Sequence, residues 1–202
     1  MLLTLVCLLV HGYHLGLEDE AVYLPAIKYE LDATLFPHDS IFFLNQMKYT
    51  IYPKTMAVLV RLTGVELSYV IFSMYIVSIF LFLLGCLRLS RKMFITPEAQ
   101  WSSVMLIAAL LTLPVAGTAV LLFDQYLHPR TFAAAFILFS LVEVFEGRLL
   151  KAMAWTLAAG MMNPLLACPG AFFAAFLAWR RQSLPGAPMN NWSRYLQRGP
   201  FQ

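Results

Sequence analysis

Between Glu66 and Arg88 the chain carries no charged residue. The run is centred on Tyr69-Val70-Ile71-Phe72 and Phe80-Leu81-Phe82-Leu83-Leu84. About 21 such residues are what an α-helix needs to cross the hydrocarbon of a bilayer. Composition points the same way, with 60% hydrophobic and 12% charged residues, roughly half the charged fraction of a soluble domain. A chain of 202 residues could bury one core in water, but too few polar groups would remain to cover the outside. The surplus apolar surface calls for the bilayer as a second solvent, so the lipid bilayer is the first expected partner.

Further uncharged runs extend this reading to an all-α, polytopic transmembrane helix bundle over residues 1–181. Ala99 to Phe123 is a second run, with a bend expected at Pro114. A third starts at Thr131, stays apolar to Val142 and continues past Glu143 and Glu146. A fourth, Ala152 to Trp179, is interrupted by Asn163-Pro164 and Cys168-Pro169-Gly170. Met1 to Leu17 is uncharged and lacks both a basic n-region and a small-residue cleavage site, so it reads as a first span rather than a removed signal peptide.

Basic residues orient the bundle. Arg88, Arg91 and Lys92 follow the clearest span, and Arg148 and Lys151 follow the third run. The positive-inside rule sends both clusters to the cytoplasm. His11 to Glu66 and Asp124 to Arg130 then lie outside. The fourth run could be one bent helix, with Arg180 and Arg181 outside, or a hairpin turning at Met162 to Gly170 that returns them to the cytoplasm. Proline removes a backbone donor and clashes with the preceding turn, which favours the hairpin.

Net charge is +3 and the basic residues are dispersed, which argues against nucleic acid as a partner. Cys7, Cys86 and Cys168 show neither a CxxC pair nor zinc spacing and read as small buried hydrophobes. His11 and His14 sit one helical turn apart as a two-point metal pair, but no third ligand is near in sequence, so no metal site is assigned.

Residues 18–65 differ from the rest. They hold Glu18, Asp19, Glu20, Glu30, Asp32 and Asp39 of the eleven acids. Asp39 could cap a short helix beginning near Ile41. Met56, Leu59 and Val60 with Lys54 and Arg61 read as an amphipathic helix that Gly64 ends. The loop is expected to be a helical platform on the outer leaflet. The triplet Glu18-Asp19-Glu20 could be an ordinary helix start, but charge at the mouth of a span is costly unless used. Glu143 lies deep enough in the third run to face a bundle interior, with pairing to Arg148 or Lys151 as its ordinary explanation.

The sequence resembles the GT-C class of membrane glycosyltransferases. The resemblance rests on Asp19-Glu20-Ala21-Val22-Tyr23-Leu24 after a first span, a helical outer loop, and a span closed by Leu87-Arg88-Leu89-Ser90-Arg91-Lys92. It continues in the short loop Asp124-Gln125-Tyr126-Leu127-His128-Pro129-Arg130. Gly160-Met161-Met162-Asn163-Pro164-Leu165-Leu166 resembles the His-Pro-Leu turn of many bacterial relatives, with Asn163 in place of His. Such enzymes have more spans, and residues 182–202 form a polar tail, so the chain is expected to be a fragment, or a frameshifted end, of a longer protein.

The resemblance implies transfer of a sugar from a polyprenyl-phosphate donor at the outer face of a bacterial inner membrane. Asp19 is then the first candidate for the proton-abstracting base and Glu20 the second. Arg130, Lys48, Lys54 or Arg61 would meet the lipid phosphate. Asp124 would hold a divalent cation or position the acceptor, with His128 on the same loop. Two other classes stay open on the residues alone. The broken fourth run and Glu143 suggest a transporter or channel, and a non-catalytic membrane scaffold would keep the same architecture.

Overall fold

The computed structural model describes residues 1–38, 41–114 and 121–183, apart from the side chains of 42, 43, 46 and 181–183. Among these residues the fold is all-α: α1 (Leu2–His11), α2 (Glu20–Leu31), α3 (Ile41–Met47), α4 (Tyr52–Thr63), α5 (Leu67–Met93), α6 (Pro97–Ala109), α7 (Pro129–Glu146), α8 (Leu149–Met162) and α9 (Pro164–Ser183).

α5 is the uncharged run made helix, 27 residues long and therefore about 40 Å. Arg91 and Lys92 occupy its last turn, where they complement the helix dipole. Among the described residues, α5 is the one helix both long and apolar enough to cross a membrane; α1, α8 and Pro164–Arg180 are shorter apolar helices.

Two of the expected spans are not single helices. α1 stops at His11, whose ring bonds to Ala108 O at 2.7 Å and to Thr112 Oγ1 at 3.0 Å. The N-terminal run is thus ten residues of helix tied to the end of α6. α6 itself ends at Ala109 instead of running to Phe123. Beyond it the chain doubles back, with Phe123 N donating to Leu111 O and Leu122 N to Leu113 O. Pro114 cannot donate to a helix and disfavours the helical conformation at Leu113, so the break falls upstream of it.

α7 sits at the centre. It is buried on nearly every side, packing against α5, α8 and α9, which is why its pattern is apolar all round. The helices meet closely. A β-carbon on Gly85 would lie 2.9 Å from Leu138 Cβ, and one on Gly170 would lie 2.7 Å from Ile137 Cδ1. Ser140 Oγ adds a polar tie from α7 to α8, 2.8 Å from Thr156 Oγ1 and 2.9 Å from Ala152 O.

The fourth run is a helical hairpin, but its turn is tighter than expected. It occurs at Asn163 alone, and α9 continues through Pro169. Asn163 Oδ1 accepts from Leu166 N at 3.0 Å, so this residue caps α9, with Pro164 following at the first helical position.

The expected helical segment 18–65 is present. α4 buries Tyr52, Pro53, Met56 and Ala57 against α2, exposes Lys54 and Arg61, and ends at Gly64 with φ 66°. The proposed capping role of Asp39 lies outside the described residues.

Charge separates to two ends. At one, Lys92 Nζ meets Glu146 Oε1 at 2.8 Å, and Arg148 meets Glu146 at 2.6 Å and Glu143 at 3.4 Å. The hairpin returns Arg180 toward this end, since Ala152 near the start of α8 clusters with Ala174, Leu177 and Ala178 in the second half of α9. At the other end the α8–α9 turn meets the 18–65 segment, where Thr50 Oγ1 donates to Met162 O at 2.6 Å and Ile51 N to Met161 O at 2.9 Å.

Candidate functional site

Three consecutive acids at the start of α2 go to three different places. Glu18 adopts φ 46°, a left-handed conformation that costs a residue with a side chain about 1–2 kcal/mol. It accepts a long hydrogen bond from Tyr126 OH at 3.4 Å. Asp19 stands at the N-cap of α2, where its charge complements the helix dipole, without bonding the helix amides. Its Oδ2 lies 3.4 Å from His128 Nε2 instead. Glu20 turns inward and is 1% exposed.

His128 is fixed by its own helix. As N-cap of α7 its Nδ1 accepts from Arg130 N–H at 3.0 Å. A ring nitrogen that accepts carries no proton, so the neutral imidazole is protonated at Nε2, facing Asp19. Burial first, and then the Arg130 charge, pull His128 down to about 4, with Asp124 and Asp19 only partly opposing. The His128–Asp19 contact at neutral pH is therefore a long hydrogen bond from a neutral ring rather than an ion pair. Tyr23 packs edge-on against this ring at 4.9 Å and Tyr126 at 6.2 Å.

Asp124 is buried, and Arg130 Nη2 lies 2.6 Å from both of its carboxylate oxygens. Tyr75 OH donates to the Asp124 carbonyl at 3.2 Å. The acid is thus committed to the guanidinium and its charge is balanced. A divalent cation or an acceptor at Asp124 would have to compete with Arg130 for the same two oxygens. Arg130, 26% exposed at its side chain, still reaches the surface.

Glu20 Oε2 accepts from Gly16 N–H at 2.6 Å, while Oε1 is buried without a hydrogen bond. Burial raises this carboxyl to about 7, partly offset by the Gly16 and Leu127 amides. Its side chain belongs to the interior, so it does not share the exposed position of Asp19.

Asp19, Asp124, His128 and Arg130 therefore converge, as expected of the two loops. Lys48 and Lys54 do not join them. They line a separate cavity of about 540 Å³ with Tyr29, Thr50 and Met161, and Lys48 Nζ donates to Asn45 Oδ1 at 2.7 Å. Arg61 donates to the Glu30 carbonyl. Both ring nitrogens of His11 are used structurally, and no group of three His, Cys, Asp or Glu able to hold a metal occurs among the described residues. Glu143 pairs with Arg148, the ordinary explanation.

Sequence reasoning missed Tyr13, Tyr52 and Tyr75, which lie within electrostatic reach of Glu20, Tyr75 also bonding the Asp124 carbonyl. They come from separate segments, and no local pattern marks them. Tyr23 and Tyr126, each shortly after an acid, were the legible part of the aromatic shell.

Chemically, the cluster presents Asp19, an accessible carboxylate held beside a buried neutral imidazole and a compensated acid–guanidinium pair, with the exposed Glu18 next to it on Tyr126. Such a carboxylate can accept a proton from a hydroxyl brought to it. No protein-family model, curated protein or solved structure matches the chain.

Proposed function

We propose that this chain is a GT-C-like integral membrane protein whose Asp19 end handles transfer of a sugar from a polyprenyl-phosphate donor. The observation that carries the reading is the placement of Asp19. Its carboxylate is 63% exposed, yet His128 stands at 3.4 Å as a fixed neighbour. A general base needs both access to its acceptor and a defined position.

The membrane part of the proposal draws on α5 and on the outward apolar residues of the shorter helices. Leu2, Leu9, Leu106, Leu157, Leu165 and Phe172 are all more than half exposed, and such a surface suits lipid. α1, α6, α7 and the α8–α9 hairpin accompany α5 in the bilayer, with the basic end cytoplasmic and the Asp19 end outside. The transporter alternative loses a main motive, because Glu143 already has its counter-charge in Arg148.

In this scheme Asp19 takes the acceptor proton as the new glycosidic bond forms, and His128 orients Asp19. Arg130 offers charge-assisted hydrogen bonds to the departing phosphate. The test is a transfer assay on purified chain in lipid nanodiscs with labelled polyprenyl-phosphate monosaccharides. Label appearing in a second, more polar product supports the proposal. Donors that neither bind nor lose their label defeat it.

A further inference from the structure

The 18–65 segment and the turn of the α8–α9 hairpin frame the separate cavity of about 540 Å³, a size that suits a small-molecule group. Two hydrogen bonds fix its walls, from Thr50 Oγ1 to Met162 O at 2.6 Å and from Ile51 N to Met161 O at 2.9 Å. The lining divides by polarity. Glu30, Lys48 and Lys54 bring charge, while Leu44, Met47, Ile51 and Met161 bring apolar surface.

The three charges do not satisfy one another. None of them takes part in an ion pair among the described residues, and both lysines are exposed. Lys48 Nζ donates to Asn45 Oδ1 at 2.7 Å and keeps two further donors. Lys54 stands in the first turn of α4, where the helix dipole disfavours a cation, so helix stability does not account for it. Two lysines and one glutamate leave the cavity with one positive charge in excess.

From the cavity an apolar ridge runs along α8. Met153, Leu157 and Met161 follow at four-residue intervals, which puts them on one helix face, and each is more than half exposed. Met161 belongs to the ridge and to the cavity lining. A soluble phosphate ester would use the lysines and leave the ridge bare. An amphiphile uses both.

We propose that the cavity binds the headgroup of an anionic phospholipid of the bilayer, with Lys48 and Lys54 on the phosphodiester and an acyl chain along the α8 ridge. A phosphodiester carries one negative charge and balances the excess, and lysine binds phosphate as a point charge. Headgroup hydroxyls, as in phosphatidylglycerol, can donate to Glu30. Zwitterionic phosphatidylcholine leaves the excess charge unbalanced and has no hydroxyl to donate. A reacting donor belongs beside Asp19 and Arg130, which these lysines do not join, so the lipid here is a resident one. The inference rests on the membrane placement proposed above and not on sugar transfer.

In the test, short-chain phosphatidylglycerol or phosphatidylcholine is titrated into the full chain in neutral detergent at low salt, and bound lipid is read by native mass spectrometry. Phosphatidylglycerol should bind more tightly. Lys48→Gln and Lys54→Gln should each lose about fivefold of that preference, and roughly 25-fold together. Lys28→Gln, an exposed change outside the cavity lining, should keep it. Deacylated glycerophosphoglycerol should not compete at the concentrations where the lipid binds. A double variant with the wild-type preference overturns the proposal, as does a deacylated headgroup that binds as tightly as the lipid. Equal uptake of both lipids by the wild type overturns this proposal alone, whereas a chain that takes up neither overturns the membrane placement with it.

Discussion

Arg130 places one guanidinium nitrogen 2.6 Å from each carboxylate oxygen of Asp124, inside a site where the acid is only 3% exposed. Removing one partner leaves the other charge buried and unpaired, which costs about 3–5 kcal/mol for a fully buried pair. Arg130 is partly exposed, so the lower end applies. Arg130→Ala should destabilise by about 3 kcal/mol, read from chemical or thermal unfolding in detergent. The double variant Asp124→Leu/Arg130→Leu should recover most of the loss. A single variant as stable as wild type would mean that the pair is a surface contact.

Acid should weaken the site through His128. Its pKa is depressed from 6.5 to about 4 by burial, so the folded state holds the neutral ring while the unfolded chain takes up a proton first. The stability contributed by the neutral ring is complete above pH 6.5 and is lost as pH falls from there toward 4. The full loss is on the order of 3 kcal/mol. Glu20, raised to about 7, contributes with the opposite sign over much of the same range, so the His128 share is read from the difference between wild type and His128→Gln, which should shrink as pH falls from 6.5 to 4. Wild-type and His128→Gln curves that run parallel between pH 6.5 and 4 would contradict the burial argument.

How much of this was legible depended on whether the cause was local. The α5 run and the basic residues closing it state their own structure, because a helix needs only an uninterrupted apolar stretch and suitable ends. Asn163-Pro164 marked the hairpin for the same reason. Pro169 looked equally disruptive, yet α9 absorbs it, since one lost hydrogen bond near a helix start is tolerated when packing holds the rest. Pro114 marks a break after α6 but not where α6 ends, and the tie of His11 to Ala108 and Thr112 is tertiary, so no window of sequence contains it. At the site, Asp19 and Asp124 could be chosen from their positions just beyond the uncharged runs of the sequence. The division of labour among Glu18, Asp19 and Glu20 could not, because it is decided by Tyr126, His128 and Gly16.

The two-ended distribution of charge gives a topological expectation. Cysteines introduced at Arg91, Lys151 and Arg180 should react with a membrane-impermeant maleimide only after the membrane is opened. A cysteine at Glu18 or Tyr49 should react in intact cells. Reaction of the Arg180 position from outside would place the two ends of the hairpin on opposite faces and break the proposed orientation.

The account rests most heavily on Asp19 as the base. The direct measurement is the single-turnover transfer rate of Asp19→Asn beside wild type, with donor binding measured on the same samples. Asparagine keeps the shape and the contact to His128 but cannot take a proton, and general base catalysis contributes about 10²–10⁴-fold. The prediction is a rate lowered by at least about 100-fold with donor affinity nearly unchanged. An Asp19→Asn protein that transfers sugar at the wild-type rate would contradict the account.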